Sequence, residues 1–304
     1  MSYHIISVDH PDCQLSVKHG QLCLHASDLS KQIPIEDVAA IIITSIKCTF
    51  SNHFLTEAAK RRISVVICDT YKPIALLLPA DRATDTQLIR NIANLSSQLK
   101  KRLWDKTLNA KCINQLNAAI SWAPKHPLIH DLERLSKSCK ISRESECAKL
   151  YWSIFSDTFF DRQFKRDRSR DDCNVLFNYA YAILLSCVLR NLFALGLDPT
   201  FGIFHSTREH STPLAYDLME PFRVAFDIRI AQWVKQNSSS DFTISQAFRS
   251  FILETLLLPF TYNNKSMPLK SAVELTMRSF RTAIHELQSG PYTPWTISTT
   301  KWDG

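Results

Sequence analysis

Apolar positions follow two different rhythms along this chain, and the change between them divides it. Up to about residue 80 the period is short. Leu15-Ser16-Val17 runs into a polar turn at Lys18-His19-Gly20-Gln21, and alternation resumes at Leu22-Cys23-Leu24, the pattern of a half-buried hairpin. Ile41-Ile42-Ile43, Val65-Val66-Ile67 and Ile74-Ala75-Leu76-Leu77-Leu78 are further runs of strand length. Between the first two, Ser51 can cap a helix carrying Phe54, Leu55, Ala58 and Ala59 at helical spacing. These features predict one sheet and one helix.

Beyond Pro79-Ala80-Asp81 the period lengthens to that of helices, over residues 85–121, 143–165, 171–195, 213–235 and 243–258, with breaks at Pro124, Pro127, Pro199 and Pro259. Asn264-Lys265-Ser266-Met267-Pro268 reads as a polar connection to a last helix over 269–287, and the Pro/Thr/Ser-rich tail from Pro291 reads as loose. The expected fold is α+β: a small β-rich N-terminal domain (1–80), a linker (81–86), a large all-helical domain (87–290) and a tail (291–304).

Composition narrows the possibilities. With 45% hydrophobic and 21% charged residues among 304, the chain can bury a core. Its glycines number five, none closer together than Gly196 and Gly202, so neither a dinucleotide fingerprint nor a phosphate loop can be written in it. Nine cysteines without a Cys-x-x-Cys pair suit neither a zinc nor a disulfide framework and read as reduced, mostly buried thiols of a cytoplasmic protein. The greasy stretch from Val175 to Leu189 contains Asn178, stops at Arg190 and is short for a membrane span, so it reads as a core helix. The start Met1-Ser2-Tyr3-His4 lacks the plan of a signal peptide. A formal charge of +7 is modest, but cations gather at Lys60-Arg61-Arg62, at Lys100-Lys101-Arg102, and at Arg162, Lys165, Arg166, Arg168 and Arg170, where a solvated face and a polyanion contact are both open readings.

Three places set metal-ligand residue types in apolar sequence. Glu144 opens a helical segment and shares a face with Ala148 and Tyr151, although a first-turn acid is also what the helix dipole favours. His205 follows an apolar run, where a structural imidazole is equally at home. Asp217 and Glu220, three apart, fall on one side of a helix among Leu218, Met219 and Phe222. Buried acids need neutralising, by a cation or by Arg223. Carboxylates with an imidazole and no thiolate suit Mg²⁺ or Mn²⁺, and such a site beside basic runs suits phosphodiester chemistry.

Six ordered blocks carry a resemblance. They are Ile33-Pro34-Ile35-Glu36-Asp37; Lys106 with Ala110-Lys111-Cys112-Ile113-Asn114-Gln115; Glu144 with Ala148-Lys149-Leu150-Tyr151-Trp152; the segment from Asn174 to Ala182; Leu195-Gly196-Leu197-Asp198-Pro199 with His205; and the segment from Leu214 to Arg223. Through them the chain resembles, nearly end to end, the CRISPR-associated adaptation integrase family, the first Cas protein, in its type II-like branch. It departs at Ala180, where the family usually has Gly, and at Cys147, where a second Ala is usual; Glu220 stands where other branches have Asp.

The resemblance implies metal ligands at Glu144, His205 and Glu220, with Asp217 as a further acidic member, and a divalent Mg²⁺ or Mn²⁺. It implies transesterification, in which a prespacer 3′-hydroxyl attacks a phosphodiester at the leader-proximal repeat. Arg162, Lys165, Arg166, Arg168, Arg170 and Arg223 are the candidate contacts to double-stranded prespacer and repeat DNA. Also implied are a homodimer through the β-rich domain, a small second Cas adaptation protein bridging two dimers and, at capture, the type II effector nuclease with an accessory adaptation factor, all without a membrane. Two rival readings are a metal-dependent nuclease that uses water, and a basic DNA-binding scaffold whose acids are structural.

Overall fold

The computed structural model describes residues 4–61, 63–69, 72–77, 83–137, 143–206, 211–237 and 242–297. Its N-terminal part contains β1 (His4–Val8), β2 (Asp12–Lys18), β3 (Gln21–His25), β4 (Ser30–Pro34), β5 (Val38–Ile43), β6 (Lys47–Phe50), α1 (Asn52–Lys60), β7 (Ser64–Asp69) and β8 (Lys72–Leu77). Two four-stranded sheets form where one was expected, ordered β1-β5-β7-β8 and β4-β3-β2-β6. The second closes because the short β6 adds parallel to β2.

The hairpin stands where alternation put it. Lys18 pairs with Gln21, and the turn residues His19 and Gly20 take φ of 49° and 74°, the left-handed pair that matches strand twist. Cys13, Leu15 and Val17 of β2 turn inward onto a core shared with Ile41, Ile43, Phe54 and Val65. Ser51 caps α1, accepting from the Phe54 N–H. The triple isoleucine of β5 has its own reason: Ile41 and Ile43 face that core, whereas Ile42 faces the opposite side with Val66, Cys68 and Phe193. A strand buried on both faces reads as a continuous apolar run, and here the second face meets the long helix that ends near Phe193.

The C-terminal part packs α2 (Ala83–Ala93), α3 (Ser97–Trp122), α4 (Ile129–Ser136), α5 (Glu144–Phe159), α6 (Asn174–Ala194), α7 (Pro213–Met219), α8 (Arg223–Gln236), α9 (Gln246–Glu254) and α10 (Leu269–Glu286). Helix α2 begins inside the expected linker, whose residues 81 and 82 lie outside the described ones, as do Arg62, Cys139 and the tail beyond Ile297. The 85–121 segment is two helices, because Ser96 caps a new one by accepting from the Leu99 N–H. The 143–165 segment ends at Phe159, so the basic run lies on a loop rather than a helix face. α4, between the prolines and Arg143, had no place in the expected layout. α6 is 21 residues long, longer than its greasy stretch; it meets the length and apolarity of a membrane span, yet 67% of that window is buried inside the fold. Among the described residues the eight cysteines form no disulfide, and all but Cys48 are buried.

Two expectations for this part are corrected. It is not all-helical: β9 (Pro259–Tyr262) and β10 (Lys265–Pro268) form an antiparallel hairpin. Asn263 and Asn264 turn it at φ of 49° and 61°, a conformation asparagine tolerates well. Nor is the described part of the tail loose. Tyr292 and Trp295 are fully buried, Trp295 stacks on Phe222 with centroids 5.3 Å apart, and Lys106 Nζ donates to the carbonyls of Ser289, Gly290 and Tyr292. Asn114 completes the clamp, donating to the Pro221 and Trp295 carbonyls and accepting from the Ile297 N–H. Trp295→Ala should therefore lower unfolding free energy by about 3–5 kcal/mol. Urea denaturation checks this, and a change under about 1 kcal/mol, the size of a neutral surface change, would contradict the packing.

Candidate active site

Lys111 shows how the site is assembled. Trp104, Thr107, Leu108, Lys111 and Gln115 recur at three- and four-residue steps along the buried face of α3, so the chain drives an ammonium into the core. There Lys111 Nζ donates to Glu144 Oε1 at 2.6 Å and lies 2.9 Å from Glu220 Oε2. On the far side Arg223 reaches Glu220 Oε1 at 2.9 Å. Burial alone would depress the Lys111 pKa, but Glu220 and Glu144 raise it above the usual ammonium value. Burial likewise opposes ionisation of Glu220, yet Arg223 and Lys111 outweigh it and bring its pKa down to about 2. Both carboxylate and ammonium are thus charged.

Glu220 owes its position to Pro221. A proline has no N–H and clashes with the carbonyl four residues earlier, so α7 stops at Met219 and residues Glu220–Phe222 form a 3-10 turn before α8. Expecting one helix over 213–235 missed this break. Asp217 and Glu220 nevertheless both approach His205, the first by hydrogen bond and the second through charge, while their other partners differ. Asp217, fully buried, accepts from the backbone N–H groups of Ile203, Phe204 and His205 and engages His205 Nδ1 at 2.7 Å. With both oxygens doubly engaged, it fits poorly as a ligand and instead orients the imidazole. Gly202 permits this wrapping, since a Cβ there would lie 2.3 Å from the His205 carbonyl. Trp104 stacks on Phe204 at 4.4 Å and meets His205 edge-on. His205 is near enough to Glu220 to help hold it ionised.

The structure therefore joins Glu144 and Glu220 through Lys111 and sets His205 beside Glu220. As the side chains lie, no three His, Cys, Asp or Glu groups among the described residues are gathered closely enough to hold an ion. The donor set nevertheless fits one: the two carboxylates already share a cation, and the imidazole is fixed by a third carboxylate, Asp217, as in metal-ligating histidines.

A cavity of about 290 Å³ opens onto Lys111, Glu220 and Arg223 and is also lined by Gln115, Arg166 and Arg168. Arg223 Nε and Gln115 Oε1 are buried there with no hydrogen-bond partner among the described residues. Arg166 bonds Asn174 and Asn178 and lies over the Phe177 and Tyr181 rings, while Arg223 lies 4.7 Å over Tyr181. Beneath them Tyr151 and Tyr181 both donate to Asp227. Burial raises the Asp227 pKa to about 6 against the lowering effect of these hydroxyls.

The basic run is divided: Arg166 and Arg168 face this cavity, Lys165 lines an adjoining cleft, and Arg162 and Arg170 stand by Asp157 and Asp172 at 3.6 and 3.0 Å. Lys111, Gln115 and Asp227 were given no role from the sequence, although a lysine on a core-facing helical stripe is itself a signal, because it needs acidic partners.

The sequence pattern of the family described as CRISPR associated protein Cas1 matches residues 6–256. The chain belongs to the Cas1 family. A protein from Neisseria meningitidis serogroup C (strain 8013), named CRISPR-associated endonuclease Cas1, is 24% identical over 277 residues, 89% of each chain. Two solved structures share the fold of this Cas1-family chain. A casposase bound to an integration product matches with a TM-score of 0.72 at 18% identity, over 100% of this chain and 99% of that one. A chain of a partial Cas6-RT-Cas1–Cas2 complex matches with a TM-score of 0.76 at 15% identity, over 97% and 99%.

Proposed function

We propose that this chain is a metal-dependent DNA integrase of CRISPR adaptation, working in the cytoplasm and belonging to a type II-like branch. The observation that carries the reading is a pair of carboxylates from separate helices sharing one cation beside an imidazole that a buried aspartate orients, in a chain of the Cas1 family. Glu144, Glu220 and His205 would hold Mg²⁺ or Mn²⁺. When bound, the ion supplies Lewis acidity at the scissile phosphate and countercharge for the attacking and leaving oxygens.

The chain's own residues do the rest. Asp217 fixes the imidazole, Arg223 and Arg168 supply cations at the cavity for phosphate oxygens, and Trp104 with Phe204 packs against His205. In the reaction a prespacer 3′-oxygen forms an ester bond to a repeat phosphorus as the bond to the repeat's own 3′-oxygen breaks; one phosphodiester replaces another.

A two-fold homodimer through the β-rich domain and a small second Cas protein bridging two dimers complete the proposed assembly, joined at capture by an effector nuclease and an accessory factor. The Cas1–Cas2 complex among the structural neighbours supports the bridging partner, and the casposase with its integration product supports strand transfer. The relative's name as an endonuclease favours a second reading, hydrolysis by water.

A labelled 3′-hydroxyl duplex incubated with a supercoiled CRISPR plasmid, with and without Mg²⁺, tests these readings. Integrated product supports the integrase, cleavage alone the nuclease, and metal-independent binding alone the scaffold. For DNA contact, exposed Lys165 and Arg168 are better probes than Arg166, which also packs on aromatic rings. Lys165→Ala with Arg168→Ala should weaken duplex binding most at low salt and reduce the slope of log K against log salt by about 1.8, for two lost phosphate contacts. An unchanged slope would put the DNA path elsewhere.

A further inference from the structure

Near the end of the largely apolar α6, the charged Arg190 is only 9% exposed. An unpaired buried cation is costly, and among the described residues this guanidinium has neither a carboxylate nor a carbonyl partner. Its Nε is buried with no acceptor, and its neighbour is the Cys187 thiol. Arg190 lines a cleft of about 680 Å³ between the N-terminal sheets and helices α6 and α10. That volume lies in the range of small-molecule sites, and the cleft shares no lining residue with the cavity at Glu220.

We propose that this cleft binds a nucleotide-sized phosphate monoester, with its phosphate on Arg190 and Lys270 and its uncharged body against Leu22, Leu24 and Ile33. Lys270 and Ser271 come from the first turn of α10, whose dipole is positive at that end. A phosphate monoester carries about −1.5 to −2 charges at neutral pH, matching an arginine and a lysine better than a single carboxylate would. The acids at the cleft leave this field positive. Glu274 is held by Arg278 at 2.8 Å, so Asp9 stands against Arg190, Lys270 and Lys31. The aliphatic wall belongs to β3 and β4, so the ligand would contact both parts of the chain.

Calorimetry and thermal melting of the full chain with adenosine monophosphate, adenosine and inorganic phosphate test the site. The monophosphate is expected to bind one per chain and raise the melting midpoint, with the other two at least about tenfold weaker, the size of a lost charge-assisted hydrogen bond. Arg190→Gln should weaken it by a similar factor. Should that variant melt too early to measure, Lys270→Ala, at an exposed position, carries the test. The proposal is overturned if the monophosphate does not bind, if adenosine binds as tightly, or if binding survives Lys270→Ala but is lost in Arg223→Ala, which would place it at the DNA site.

Discussion

Glu220→Gln should abolish strand transfer while leaving duplex binding intact. The substitution keeps the side chain's shape and removes the carboxylate that lies 2.9 Å from both Lys111 and Arg223. Losing a group that merely supports a metal ligand costs about 10–100-fold in metal affinity or activity, so loss of a ligand should exceed about a hundredfold. DNA affinity should hold or rise slightly, because a negative charge disappears beside a cavity that offers Arg166, Arg168 and Arg223 to phosphates. Two buried cations lose a partner, a change of about 3 kcal/mol that a domain of ordinary stability survives. A strand-transfer assay beside a gel shift and a thermal melt separates these effects. Equal loss of binding and transfer would mean that Glu220 is structural, and retained transfer would remove it from the chemistry.

What could be read beforehand divides along physical lines. Elements with a strong local signal were legible: the β2–β3 hairpin with its His19-Gly20 turn, α1 with its Ser51 cap, and the apolar α6. What escaped depends on partners distant in the chain. The hairpin at Asn263 and Asn264 has only four residues per strand, too few for a period to register, and its polar turn reads equally as a connection. The tail's Pro/Thr composition suggested a loose end, yet Trp295 is held by partners far away in the chain, Asn114 at its carbonyl 181 residues earlier and Phe222 against its ring.

The site divides in the same way. Glu144, His205 and Glu220 were identifiable as residue types, but nothing local separates a ligand from a carboxylate that positions one. What differs between Asp217 and Glu220 is supplied by distant chain: the first meets the 203–205 backbone and the second meets Lys111 of α3.

Lys111→Met should make the fold depend on a divalent ion. In the wild type the ammonium neutralises Glu144 and Glu220 together, with side chains 24% and 8% exposed. Methionine keeps the length of the stem but leaves Glu144 without that partner and Glu220 with Arg223 and the nearby His205. Breaking a buried ion pair from one side costs about 3–5 kcal/mol, so in EDTA the variant should lose that much stability. An ion held by the same carboxylates stabilises the folded state by mass action, about 2.7 kcal/mol at a hundredfold excess over its Kd. Because the ammonium no longer competes for these oxygens, Mg²⁺ or Mn²⁺ should bind the variant more tightly and raise its melting midpoint further than that of the wild type. Melting curves in EDTA and across a Mn²⁺ titration read both effects without reference to DNA. If the variant is as stable as wild type in EDTA, the bridge contributes little. If it is destabilised and the metal restores nothing, Glu144 and Glu220 do not share an ion, and the metal reading of the site fails with them.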